Sequence, residues 1–403
     1  MDTLLYDLSI PAISSMQSSL MQHSNFMQLM SVVFDPKYAF LIYSPIAYLL
    51  DAKVGQKLVM TTVLAEWLNQ ILKWFLHGER PYWYVHSSGH FDAQQVPIRQ
   101  FPITCELGPG HPSGHAMVTA AVWYIILDSL LQAYKSHQQS EQTIKTLEQP
   151  KQQQSIESQA SKHKHYATLA TWFAYVLLLT LVSVSRVFLG CHFPHQCVAG
   201  AALGLLVARW VSSKHLEPIY YVLVSAFLFL TAFGTFGLLQ LLGLEPNWTI
   251  KLATTHCVKR DYIHLDTAPF FSVMRYCGFA LGCGLGLLYP LRSRLAGQLG
   301  EQVCLALGEQ PKETETAAAA VASKLSAPAP PQIEATLLQD KDDPKSLLSS
   351  RNVSWLSAKL VTALVMARLV DSLGLFVSHS NLPLFYSSAF CAYTAFSYAF
   401  ISL

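Results

Sequence analysis

Nine stretches of this chain approach the roughly 20 apolar residues that a membrane-spanning helix needs, and no other property restricts its fold as much. They run over 29–50, 57–76, 115–134, 168–186, 193–210, 218–242, 269–291, 355–375 and 384–403. Inside hydrocarbon each backbone N–H and C=O must find a partner within its own segment, so such spans are helices. The expected fold class is all-α: a polytopic membrane protein of about nine transmembrane helices, one integral domain over 1–403. With 52% hydrophobic and only 13% charged residues, an ordinary soluble domain is excluded. The net charge of +2 gives no reason to expect a nucleic-acid partner. The first apolar stretch begins too far into the chain, without a basic region before it, for a cleaved signal peptide, and should stay as an anchor.

Two connections stand outside the apolar core: 135–165, rich in Gln, Lys and His, and 292–351, rich in Ala and Pro with scattered charge. Both read as mobile cytoplasmic loops. Lys and Arg gather on one set of connections, at Lys53, Lys57, Lys135, Lys145, Lys151, Lys162, Lys164, Arg209 and Lys214, which marks that side as cytoplasmic. The segment before the first span has none and is expected on the opposite side, with the C-terminus cytoplasmic. Lys251, Lys259 and Arg260 run against this pattern. Asn247, in the sequon Asn247-Trp248-Thr249, falls on the non-cytoplasmic side and is a candidate glycosylation site, whereas the sequon at Asn352 falls on the other.

Chemistry is concentrated in three runs: KWFLHGERP at 73–81, PSGH at 112–115 and SRVFLGCH at 185–192. Lys73, Arg80 and Arg186 can neutralise phosphoryl oxygens, the arginines bidentately. Ser113 and Gly114 stand at a helix start, where free amides and the dipole favour an anion. His115 and His192 offer a proton donor and a nucleophile without a metal or cofactor. Each has a plain structural reading alone: a membrane-end Lys or Arg usually snorkels, a single His is usually structural, and Ser113 can be only an N-cap. Counting crossings, however, brings all of them to one face of the membrane, opposite the basic loops. That set points to phosphate-ester hydrolysis on the luminal or exterior face.

These residues resemble the three-part signature of the phosphatidic acid phosphatase type 2 and haloperoxidase superfamily, Lys-x6-Arg-Pro, Pro-Ser-Gly-His and Ser-Arg-x5-His-x3-Asp. Here the final Asp is replaced by Gln196, a variant similar to that of the glucose-6-phosphatase catalytic subunits. The likeness continues through EWLNQILKWFLHGERPYWYV, QFPITCELGPGHPSGHAM, SRVFLGCHFPHQCVAG and HLDTAPF. It implies a multi-pass enzyme of the endoplasmic reticulum that hydrolyses glucose 6-phosphate, with a translocase delivering substrate to the lumen. It also implies His192 as the nucleophile that becomes phosphorylated and His115 as general acid and then base. The enlarged connections and a C-terminus ending in FISL, without a dilysine retrieval signal, depart from the family.

Without the family Asp, something else must orient His192. Gln196 can orient the ring without supplying charge, and Asp35 is a candidate substitute, though a helix cap is the simpler reading of it. Glu106, His111, His195, His77 and Asp266 also fall near the site face, with no role assigned. The eight cysteines lack metal spacing. Cys105 and Cys257 both fall in loops on the predicted luminal side and could pair in an oxidising compartment. Rival readings are a lipid phosphate or polyprenyl diphosphate phosphatase with the same core, and a sugar-phosphate transporter. The transporter would not need both histidines, and basic residues confined to helix ends on one side argue against alternating access.

Overall fold

A computed structural model describes residues 2–92, 94, 96–148, 153–306, 350–376 and 382–402, most of them helical. The chain opens with α1 (Asp2–Ser19) and α2 (Ser24–Val33). The stretch expected as one span over 29–50 is broken. Pro36 has no N–H to donate and disfavours helical backbone in the residue before it, so α2 ends and Asp35 caps a new start, accepting from the Lys37 amide at 2.9 Å. Helix resumes as α3 (Pro36–Tyr38), passes a π-turn at Ala39–Tyr43, and continues as α4 (Ser44–Leu50).

The body follows as α5 (Ala52–Leu76), α6 (Pro81–Ser87), α7 (Gly114–Glu148), α8 (Gln153–Phe188), α9 (Pro194–Ser212) and α10 (Pro218–Leu241). After these come α11 (Trp248–His256), α12 (Pro269–Ala306), α13 (Ser350–Phe376) and α14 (Leu382–Ser402). Among the described residues, five helices are long and apolar enough to cross a membrane: Gly114–Thr143, Ser161–Phe188, Pro218–Leu241, Pro269–Tyr289 and Pro383–Ser402. The protein is thus a multi-pass membrane protein. Burial separates an inner set from a perimeter: 72% of the apolar window of α12 and 56% of that of α7 is buried, against 11% for α8.

Two contacts fix the helices that carry the site. Gly200 and Gly204 let α9 lie on the first turn of α7, since a Cβ there would stand 2.4 Å from the Ser113 carbonyl oxygen and 2.1 Å from that of Met117. Glu66 of α5 and Arg275 of α12 form a buried ion pair at 2.7 Å. At the end of the bundle where α5 and α8 finish and α7 and α9 begin, β1 (Cys105–Glu106) pairs in parallel with β2 (Ile263–His264). The Cys105–Cys257 disulfide joins the same two connections, its Cα atoms 6.0 Å apart. Helix α1 closes over this end. Gln17 of α1 donates to the carbonyls of Phe188 at 2.6 Å and Arg99 at 3.0 Å, and accepts from the Arg99 amide at 2.8 Å.

The segment 135–165, expected as a mobile loop, is instead helical wherever it is described, as the end of α7 and the start of α8. Gln, Lys, Glu and Ala favour helix locally even where no apolar stripe exists to signal it. Within 292–351, residues 292–306 extend α12 and Ser350 opens α13, while 307–349 lie outside the described residues.

Candidate active site

The three signature runs meet at one end of the bundle. Lys73 sits in the last turn of α5, Arg80 immediately before α6, His115 second in α7, Arg186 in the last turn of α8, and His192 just before α9. Arg80 is fully buried, and three carbonyls fix its guanidinium: Gly108 at 2.7 Å, Cys191 at 3.0 Å and Pro109 at 3.1 Å. Its remaining donors face Glu106 Oε2 at 2.9 Å and His192 Nε2 at 3.4 Å. Arg186 donates to the other Glu106 oxygen and to Ser31 Oγ, and its buried Nε has no partner among the described residues. Burial alone would raise the Glu106 carboxyl pKa, but the charges of Arg186 and Arg80 outweigh it and hold this group well below its ordinary value.

His192 is oriented by backbone. Its Nδ1 lies 2.8 Å from the Gly110 carbonyl oxygen, which can only accept, so Nδ1 carries the hydrogen and the Nε2 lone pair faces the arginines. Burial, and next the Arg80 charge, push the His192 pKa well below its usual value and keep the ring neutral. Gln196 Oε1 is more distant from Nδ1, at 3.4 Å, and accepts from the Phe193 amide at 3.1 Å, while its Nε2 donates to the Glu79 carbonyl at 2.8 Å. Gln196 therefore braces the loops that place Gly110 more than it contacts the imidazole. Asp35 is not beside His192 at all. It caps α3 and lies 3.8 Å from His115 Nε2, while Glu106 stands 3.8 Å from His115 Nδ1.

The first intrahelical bond of α7 runs from the Met117 amide to the Ser113 carbonyl at 3.0 Å, so the amides of residues 114–116 precede it. The Ser113 amide is already committed to the Gln196 carbonyl at 3.0 Å. A cavity of about 60 Å³ is lined by Asp35, Asn69, Lys73, Glu106, Gly114 and His115, among others. A second of about 140 Å³ is lined by Ser31, Asp35, Lys37, Glu106, His115 and Arg186, among others. They share Asp35, Glu106 and His115, whereas His192 lines neither. Asp266 borders both, but His77 stacks on Trp248 with ring centroids 6.0 Å apart. Asn247 immediately precedes α11, and the sequon's Thr249 donates to the Leu107 carbonyl at 2.7 Å, which holds this segment at the site end. Sequence reasoning named Glu106 without seeing that both guanidiniums converge on it, and it missed Gly110, whose part is played by a carbonyl.

Two guanidiniums, an ammonium, helix-start amides and two imidazoles gathered at one end of the bundle are groups that can neutralise a phosphoryl group and move a proton. Comparison with known proteins agrees: residues 55–219 match the PAP2 superfamily. The chain is 34% identical over 291 residues to bovine glucose-6-phosphatase catalytic subunit 1 (Bos taurus), covering 70% of this chain and 75% of that protein. It is 36% identical over 281 residues to bovine glucose-6-phosphatase 3, covering 68% and 74%. With mouse glucose-6-phosphatase 2 (Mus musculus) the identity is 34% over 290 residues, covering 70% and 76%. No solved structure matches. The chain belongs to the glucose-6-phosphatase catalytic subunit family.

Proposed function

We propose that the chain hydrolyses glucose 6-phosphate to glucose and inorganic phosphate through a phosphohistidine on His192. The observation that carries this reading is the His192 ring itself, neutral and tied through Nδ1 to Gly110, with Nε2 turned toward Arg80. Lys73, Arg80, Arg186 and the first amides of α7 hold the phosphoryl oxygens, with Ser113 and Gly114 shaping that turn. His192 Nε2 attacks phosphorus, the bond to the sugar oxygen breaks, and protonated His115 gives its proton to that oxygen. His115 then takes a proton from water as the water oxygen attacks phosphorus. The P–N bond breaks, and phosphate leaves a neutral His192. Neither half needs a metal or cofactor.

The chain crosses the membrane about nine times, with its N-terminus luminal and its C-terminus cytoplasmic, and works on the luminal face of the endoplasmic reticulum. Basic residues on the opposite connections support this orientation. So does a disulfide at the site end, since disulfides persist in oxidising compartments. Asn247 at the same end is then open to glycosylation, and a luminal site requires a glucose 6-phosphate translocase to supply it.

The test is phosphate release from glucose 6-phosphate and from a soluble lipid phosphate, in detergent-opened membranes carrying the wild-type chain or His192→Ala. Sugar-phosphate turnover that disappears in the variant is the expected result. Turnover of the lipid alone would move the chain to lipid phosphate or polyprenyl diphosphate chemistry, and turnover of neither would leave the transporter reading.

A further inference from the structure

The group that meets most of the site's charge is a carboxylate. Glu106 receives Arg80 on one oxygen and Arg186 on the other, and stands 3.9 Å from His192 Nε2 and 3.8 Å from His115 Nδ1. A phosphoryl group attacked by His192 must lie against Nε2 and take the same guanidinium hydrogens. Three of the five Arg80 donors are committed to carbonyls, so the donor that now serves Glu106 is one the substrate needs. Glu106 lines both cavities that reach His115, whereas His192 lines neither and is wholly buried. The nucleophile is therefore closed off from both cavities, and the carboxylate that borders them stands 3.9 Å from its Nε2.

We propose that Glu106 is the resting occupant of the phosphoryl site, a built-in anion that bridges Arg80 and Arg186 and that the substrate must displace. The idea rests on the phosphatase reading above and adds to it a basis for substrate class. A buried guanidinium pair without a counter-charge is strongly destabilising, so Glu106 lets the empty site exist. A phosphate monoester dianion offers the two guanidiniums two negative charges where Glu106 offers one. A diester, with one negative charge, repays the displacement poorly. The displaced carboxylate has room on the His115 side, where both cavities already touch it.

Glu106→Gln keeps the side chain's size and removes its charge. In the purified full-length chain, orthovanadate is expected to inhibit the variant at about tenfold lower concentration than wild type, because the competent fraction of the site rises. kcat should fall, since the arginines lose their fixed partner. Tighter anion binding with slower turnover is a split that simple structural damage would not produce. Unchanged or weaker vanadate inhibition in a variant with wild-type thermal unfolding would overturn the proposal. A second readout needs no turnover: diethyl pyrocarbonate should leave His192 unmodified in the wild type and acylate it in Glu106→Gln, as mapped by mass spectrometry. Equal protection in both would also overturn it. If the wild type hydrolyses no phosphate ester, the phosphatase reading fails, and the acylation pattern still decides whether Glu106 shields His192.

Discussion

Gly110 matters for the carbonyl it offers and for the side chain it lacks. A Cβ there would lie 2.2 Å from the Glu79 carbonyl oxygen, so no other residue lets this strand of loop approach closely enough to tether His192. A neutral carbonyl orients the ring but adds no negative charge, and the His192 pKa stays depressed by burial and then by Arg80. The sign follows for activity. As pH falls, the substrate's phosphate, with a second pKa near about 6, gains its proton before His192 does. The acid limb of kcat/KM should therefore move with the second pKa of the phosphate ester when leaving groups are varied. A limb fixed near about 6.5 for every substrate would return His192 to its ordinary range. Lys73, Arg80, His115, Arg186 and His192 were legible because their spacing and residue type carry the chemistry. Gly110 was not, because any residue has a carbonyl and only the fold decides which one faces an imidazole. Glu106 looked like one polar residue among several until its two arginine partners, 26 and 80 residues away in sequence, closed on it.

Among the elements, the short ones carry the greatest consequence. β1 and β2 contribute two residues each, yet with the Cys105–Cys257 bond they hold Glu106 in place from the α11–α12 connection. The bond closes a loop with a sequence separation of 152, long enough that its loss should cost about 2–5 kcal/mol of stability. Thermal unfolding in detergent should accordingly shift downward in Cys257→Ser and in wild type treated with reductant. An unfolding temperature indifferent to both would mean the pairing contributes nothing to the fold. Long apolar helices such as α10 were readable from hydropathy alone. Helix α1 was not read, although Tyr6, Ile10 and Ile13 recur at helical spacing and are buried, because its Ser- and Gln-bearing sequence lacks the length of a span. The polar ends of α7 and α8 read as loop in the sequence because periodicity, the main sequence signal, is missing where a helix has no apolar face to bury.

For the whole molecule, the decisive fact is that residues scattered from Lys73 to Gln196 converge at one end of a helical bundle, where α5 and α8 finish and α7 and α9 begin. Crossing number alone anticipated that convergence, since alternate connections share a face. It did not anticipate the break at Pro36, which turns an expected first span into two pieces and brings Asp35 to His115. One covalent bond, between phosphorus and His192, decides the mechanism, and trapping it is the most direct test. The purified chain should be mixed with glucose 6-phosphate labelled at phosphorus, quenched in alkali, where phosphohistidine survives, and digested for mass spectrometry. The expected result is label on His192 in the wild type and none in His192→Ala. Phosphate release at full rate with no label on His192 would contradict it.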